Sequence, residues 1–168
     1  EKKFLRLLEA YLVARPSRSF TLRDLPSRLE GFIRARPRWS APHTALAADM
    51  AAYEWAQVES FDAGARPVMT PDDLADRPPA RRTLALQPHL RLLALWHPVE
   101  DYALAVKRSG LRADTSNAVD AAPKAARTPR APRRPKRERV FLAVHRHAGR
   151  IYTKRLEPAA FAILTALG

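Results

Sequence analysis

The chain has 168 residues, 46% of them hydrophobic, which suffices for one compact domain or two small ones. It contains no cysteine, which excludes disulfides and thiolate metal sites and makes a reducing cytoplasm the expected location. No apolar run approaches the roughly 20 residues that span a bilayer. The formal net charge of +13 favours an acidic partner, and nucleic acid is the usual class.

Residues 1–64 carry the apolar spacing of amphipathic helices. The first predicted helix ends at Arg15-Pro16, and its apolar stripe is Phe4, Leu5, Leu8, Tyr11 and Leu12. The second contains Pro26 and ends at Pro37, and its stripe is Leu22, Leu25, Leu29, Phe32 and Ile33. The longest runs over about 41–62, and its expected buried side includes Met50, Tyr53, Ala56, Val58 and Phe61.

Residues 65–107 predict a small mixed α/β region. The run Thr70-Pro71-Asp72-Asp73 has a capping threonine, an early proline and acids in the first turn, which indicates the start of a short helix. The stretch 83–87 is strand-like, and the apolar run His89–Trp96 predicts either a buried strand or a short helix. Pro98 favours a helix over 98–106.

Residues 108–138 lack apolar periodicity and predict a basic, disordered linker. Within it, the tract Pro123–Arg137 contains no acidic residue and seven basic ones, which make up more than half of the net charge: Lys124, Arg127, Arg130, Arg133, Arg134, Lys136 and Arg137. Such charges can contact the phosphates of DNA or RNA, so a DNA-binding protein or transcriptional regulator is the alternative function. The tract has no aromatic residue for base stacking, which favours non-specific binding.

Residues 139–168 predict a β-hairpin and a terminal helix. Apolar residues alternate through Val140, Leu142 and Val144, Ala148-Gly149 marks a turn, and Glu157-Pro158 opens the helix. This unit is too small to be stable alone, so we expect it to dock beside the strands of 83–96. The predicted fold class is α+β, with an N-terminal helical part, a small mixed region and a C-terminal β-hairpin plus helix.

The polar residues do not predict a catalytic, cofactor or metal site. His145 and His147 share a strand face but lack a third ligand, and His89 and His97 are interpreted as turn residues. Asp49, Glu54, Glu59 and Asp62 are five, five and three residues apart, which favours a solvated helix over a carboxylate pair on one face. No nucleotide-binding or hydrolase motif occurs. We therefore expect a binding protein rather than an enzyme.

The hairpin offers a way to bind a peptide, because an exposed strand edge can accept an extended chain as a further strand. The basic residues Arg150, Lys154 and Arg155 favour an acidic peptide. The predicted peptide-binding residues are Val140, Leu142, Val144, Arg150, Tyr152, Thr153, Lys154 and Arg155. The other interpretation is a hairpin whose two edges are both covered by the rest of the fold.

A resemblance to a known protein family rests on five stretches, which occur in this order: FLRLLEAYLVARPSRSFTLRDLPSRLEGFIRARP, ADMAAYEWAQVESFDAG, MTPDDLADRPP, LALQPHLRLLALWHPV and RVFLAVHRHAGRIYTKRLEPAAFAILTALG. The chain resembles the bacterial HvfC/BufC peptide-modification chaperones, whose helical first region carries a DNA-binding label. It departs from them before Glu1, where that region's opening helices are expected, and in the length of its linker.

The resemblance implies an accessory protein that holds the leader of a ribosomally made precursor peptide. Its partner would be a TIM-barrel multinuclear non-haem iron oxidative enzyme, which supplies the iron ligands. We expect the helical part to dock on this enzyme at Glu54 and Trp55.

Overall fold

A computed structural model describes residues 2–17, 21–72, 84–109 and 132–168. The N-terminal part is helical, as predicted. Its elements are α1 (Lys2–Ala14), a 3-10 helix (Leu22–Arg28), α2 (Leu29–Ala35), a second 3-10 helix (Pro37–Trp39) and α3 (Thr44–Asp62). None of the helices within these ranges combines the length and the apolar character needed to cross a membrane.

The second part is a three-stranded antiparallel sheet in the order β1 (Leu90–Leu95), β2 (Val140–His147) and β3 (Arg150–Leu156). Helix α4 (Val99–Arg108) follows β1, and α5 (Pro158–Ala166) follows β3. The ambiguous apolar run is thus a strand, because it pairs with β2 from Leu90–His145 to Leu95–Val140. The C-terminal hairpin docks beside this strand as predicted, and the α+β class is confirmed.

The core lies between α3 and one face of the sheet. Tyr53 and Ala56 of α3 pack against the buried side chains of Leu95, Val140, Leu142 and Val144, with Val99 of α4. A second cluster, formed by Leu7, Ile33 and Ala48, joins α1 and α2 to the same helix. Helix α5 covers part of the opposite sheet face, where the rings of Phe161 and Phe141 are 4.7 Å apart. Helix α3 therefore links the helical part to the sheet.

Two predicted apolar faces are shifted from their expected positions. In α1 the buried residues are Leu7 and Tyr11, whereas Phe4, Leu5 and Leu12 are exposed. Tyr11 fixes this rotation, because its hydroxyl donates a hydrogen bond to the carbonyl of Leu25 and its ring meets Phe32 edge-on.

In α3, Phe61 is exposed, and the buried positions are Ala48, Asp49, Tyr53, Ala56 and Ser60. The hydroxyl of Ser60 donates to the carbonyl of Val144 at 3.2 Å, which brings Ser60 rather than Phe61 to the sheet.

One prediction for the middle region also needs correction. Residues 84–87 of the strand-like stretch are not in a strand. The side chain of Gln87 instead accepts from the backbone nitrogen of Arg66 at 2.9 Å and donates to its carbonyl at 3.1 Å, which fixes this segment as a loop. Pro71 and Asp72 begin a helical turn, while Thr83 and Asp73 lie outside the described residues.

Candidate functional site

The outer edge of β3 is the strand edge that the sequence predicts as a docking surface. Within the described ranges β3 pairs with β2 alone. The hairpin closes through Ala148 and Gly149, whose φ angles of 47° and 73° are those of a primed two-residue turn. The flanking pair His147–Arg150 is then hydrogen-bonded, and bonded pairs alternate from there along the strand. The backbone groups of Ile151, Thr153 and Arg155 consequently point outward.

A groove of about 300 Å³ lies beside this edge, between β3, α3 and α4. Its walls are formed by Tyr53, Glu54, Gln57, Glu100, Asp101, Ala103, Leu104, Lys107 and Thr153. The hydroxyls of Tyr53 and Thr153 are 3.0 Å apart, so α3 is tied to the middle of β3 at the base of the groove. A chain that pairs with β3 would place alternate side chains in this groove.

Acidic side chains dominate the groove and enclose Arg155. The Nε atom of Arg155 donates to Glu100 Oε1 at 2.9 Å, and one terminal nitrogen reaches Asp101 Oδ2 at 2.9 Å. A carboxylate oxygen of Glu138 is 3.8 Å from the guanidinium. The hydrogen bond to Glu100 raises the pKa of Arg155 above its usual value, and the charges of all three carboxylates add to this effect. Arg155 therefore already has its acidic partners, which removes it from the residues expected to select an acidic peptide.

The pKa of the Tyr53 phenol also reflects the acidic side chains around the groove. Burial raises the pKa of Tyr53 above its usual value, and the hydrogen bond with Thr153 opposes this shift. The carboxylates of Glu100 and Glu54 raise the pKa further, because a phenolate would be repelled by them. The groove thus disfavours negative charge.

The opposite face of β3 has the reverse charge. Arg150, Tyr152 and Lys154 are exposed there, and the ring of His145 stacks on Tyr152 with centroids 5.6 Å apart. The expected peptide-binding residues are thus divided between two faces. Three of them, Val140, Leu142 and Val144, lie in the core and support the hairpin from below without reaching a docked chain.

The end of the predicted linker is ordered against the sheet. The guanidinium groups of Arg137 and Arg139 lie 4.5 and 4.4 Å from the ring centroid of Trp96, and the Glu138 nitrogen donates to the Trp96 carbonyl at 2.8 Å. Arg134 contacts the ring of His43. The last residues of the predicted linker thus contact the end of β1 and the start of α3. Of the other basic residues expected to contact nucleic acid, Arg133 and Lys136 are exposed, and Lys124, Arg127 and Arg130 lie outside the described residues.

A buried polar junction was not predicted from the sequence. The carboxylate of Asp49, fully buried, accepts hydrogen bonds from Arg34 at 3.2 Å, from the Trp96 backbone nitrogen at 2.9 Å and from Nδ1 of His97 at 2.8 Å. The interpretation of Asp49 as a solvated helix residue is therefore wrong. His97 does lie in the bend that follows β1, but its side chain is buried there. Residues 49, 53, 56 and 60 have the spacing of one helix face, and this spacing could have predicted that Asp49 is buried with Tyr53, Ala56 and Ser60.

The two expected enzyme-contact residues have different environments. Glu54 is exposed and lines the groove, whereas Trp55 is half-buried. Among the residues that the structure describes, no three histidine, aspartate or glutamate side chains converge as metal ligands. Searches of protein-family models and of curated protein sequences gave no match to this chain.

Proposed function

We propose that this protein is a non-catalytic accessory subunit that binds a ribosomally made precursor peptide as an additional strand on β3. The observation that carries the proposal is the outward backbone of Ile151, Thr153 and Arg155 beside a groove. Main-chain hydrogen bonds to such an edge provide affinity, and pockets for alternate side chains provide specificity. A strand added here extends a sheet that α3 and α4 already support.

The partner in this proposal is a TIM-barrel multinuclear non-haem iron oxidative enzyme, and the order of motifs shared with the HvfC/BufC chaperones is its support. The precursor's leader would be held on β3 while its other end reaches the enzyme. Contact with the enzyme is assigned to the helical part, with Trp55 of α3 as the first residue to test. The absence of cysteine supports a cytoplasmic location.

The experiment combines amide hydrogen exchange with a screen of synthetic peptides from short open reading frames near the gene. Binding should slow exchange at Ile151, Thr153 and Arg155, because these amides gain partners, and leave Tyr152 unchanged. Thr153→Pro removes an outward donor that the hairpin itself does not use, so it should lower affinity about tenfold or more.

Thr153→Val is the matched control, because it removes the bond to Tyr53 but keeps the backbone donor. It should retain most of the affinity. A folded Thr153→Pro variant that binds the precursor as well as the parent, with no protection along β3, would exclude this edge.

A further inference from the structure

We infer that the β3 site selects a peptide whose alternate side chains carry opposite charge, with basic residues facing the groove and acidic residues facing the other side of the sheet. The inference rests on the proposed strand addition and specifies the class of peptide. It replaces the general acidic preference expected from Arg150, Lys154 and Arg155, because the structure divides these three residues between two faces.

The two faces follow from the period of a strand. Side chains of Ile151, Thr153 and Arg155 lie on the face that meets α3 and α4, as the contact between Thr153 and Tyr53 shows. Arg150 and Lys154 lie on the opposite face with Tyr152. A chain paired with β3 continues the same alternation in either direction. Its side chains must therefore meet the two surfaces in turn.

The groove face suits a cation. Three carboxylates line it and Glu138 adds a fourth beside Arg155, against two cations, Lys107 and Arg155. Glu100 is the most enclosed of the three: its side chain is 14% exposed, and Oε2 is buried without a hydrogen-bond partner among the described residues. A buried carboxylate oxygen gains most from a charged donor, because charge-assisted hydrogen bonds are roughly twice as strong as neutral ones. A lysine or arginine of the bound peptide would supply that donor.

The opposite face suits an anion. On this face of the hairpin the side chains come from residues 141, 143, 145, 147, 150, 152, 154 and 156, and none of them is acidic. Arg150 and Lys154 flank Tyr152, which is 44% exposed. An acidic side chain placed here meets two cations, whereas a basic side chain meets like charge.

This charge division also determines which face of the peptide lies on the groove. A slip by one residue would exchange the two faces of the bound chain and place each charged side chain against residues of the same charge. A two-residue slip would keep the charges matched. Opposite charges on alternate residues would therefore restrict which part of the precursor extends beyond the site toward the enzyme.

The test uses three labelled synthetic peptides of equal length, in which threonine alternates with lysine, threonine alternates with glutamate, or lysine alternates with glutamate. Fluorescence anisotropy at physiological salt measures their affinity, since screening then limits long-range attraction to the basic protein. The lysine–glutamate peptide should bind tightest. E54Q/E100Q should weaken the lysine–threonine peptide about five- to tenfold and leave the glutamate–threonine peptide unchanged. R150Q/K154Q should do the reverse.

Glu9→Gln on α1 is the control for a change of net charge, because Glu9 is exposed and far along the chain from the hairpin. It should not discriminate among the peptides. If each double variant changes the affinity for all three peptides only as its change of net charge predicts, the face-specific inference is wrong. If Thr153→Pro abolishes binding but the double variants do not separate the peptides, strand addition stands and the charge rule fails. If Thr153→Pro has no effect on any bound peptide, both ideas fail. Circular dichroism confirms that each variant is folded.

Discussion

Nδ1 of His97 lies 2.8 Å from Oδ2 of Asp49, and this contact joins the middle of the helical part to the end of β1. The same carboxylate binds Arg34 of α2 through its other oxygen. One buried side chain of α3 therefore joins α2 to the end of β1, which lies 47 residues further along the chain at Trp96. The junction fixes how α3 lies on the sheet, and hence the shape of the groove beside β3.

Replacing Asp49 should destabilise the protein strongly. Asp49→Ala leaves the Trp96 amide and His97 without their acceptor and should lower the free energy of unfolding by about 2–4 kcal/mol. Glu30→Ala is the matched control, because Glu30 also binds Arg34, at 2.7 Å, but is solvent-exposed. Glu30→Ala should lower the free energy of unfolding by about 0.3–0.5 kcal/mol. Urea unfolding measures both, and equal losses would contradict the role of the buried junction.

Stability should decrease in alkali because of Tyr53. Its pKa is raised in the folded state, so its contribution is complete below the unfolded pKa of about 10 and is lost as the pH rises through the folded pKa. Tyr53→Phe removes this ionisation, and its free energy of unfolding should fall less steeply above about pH 10. Chemical unfolding across the alkaline range measures the slope. Parallel curves for the two proteins would show that Tyr53 ionises alike in both states.

Asparagine in place of Ala148 should stabilise the hairpin turn. Ala148 has a φ of 47°, which is unfavourable for alanine, and Gly149 follows at 73°. Ala148→Asn creates the preferred sequence of this turn and should raise the free energy of unfolding by about 0.5–1 kcal/mol.

Gly149→Ala is the opposite change at the neighbouring position. An added Cβ there has no atom within 4 Å, so the expected loss of about 1 kcal/mol comes from backbone strain alone. Thermal unfolding measures both variants. Equal stability of all three proteins would exclude the primed turn.

Any DNA binding should be electrostatic and independent of sequence. Its affinity should fall steeply between roughly 50 and 200 mM salt, because counterions are released from the phosphates. Neutralising the exposed Arg133 and Lys136 with glutamine should reduce the salt slope by about 2 in total. Electrophoretic mobility shifts at several salt concentrations measure the slope. A salt-resistant footprint on one sequence would favour a transcriptional regulator instead.

Most of the secondary structure follows from local patterns in the sequence. The alternation in β2, the turn at Ala148-Gly149 and the start of α5 at Pro158 are each contained within a few residues, so the C-terminal unit was predicted nearly as it is. The hydrophobic run before Trp96 fits either a strand or a helix by itself. The run forms a strand because it pairs with β2, which lies far along the chain.

The candidate site depends on which faces of separate elements meet, and no local pattern contains that information. The sequence identified the hairpin edge and its basic residues. The tertiary structure placed Glu100, Asp101 and Glu138 around Arg155, and it set Arg150 and Lys154 on the other face. It also buried the side chain of Asp49, whose oxygens accept hydrogen bonds from α2 and from the end of β1. The sequence alone determined the strand whose edge is proposed to bind a peptide, because its pattern is local, whereas tertiary packing decided the charge that each of its faces presents.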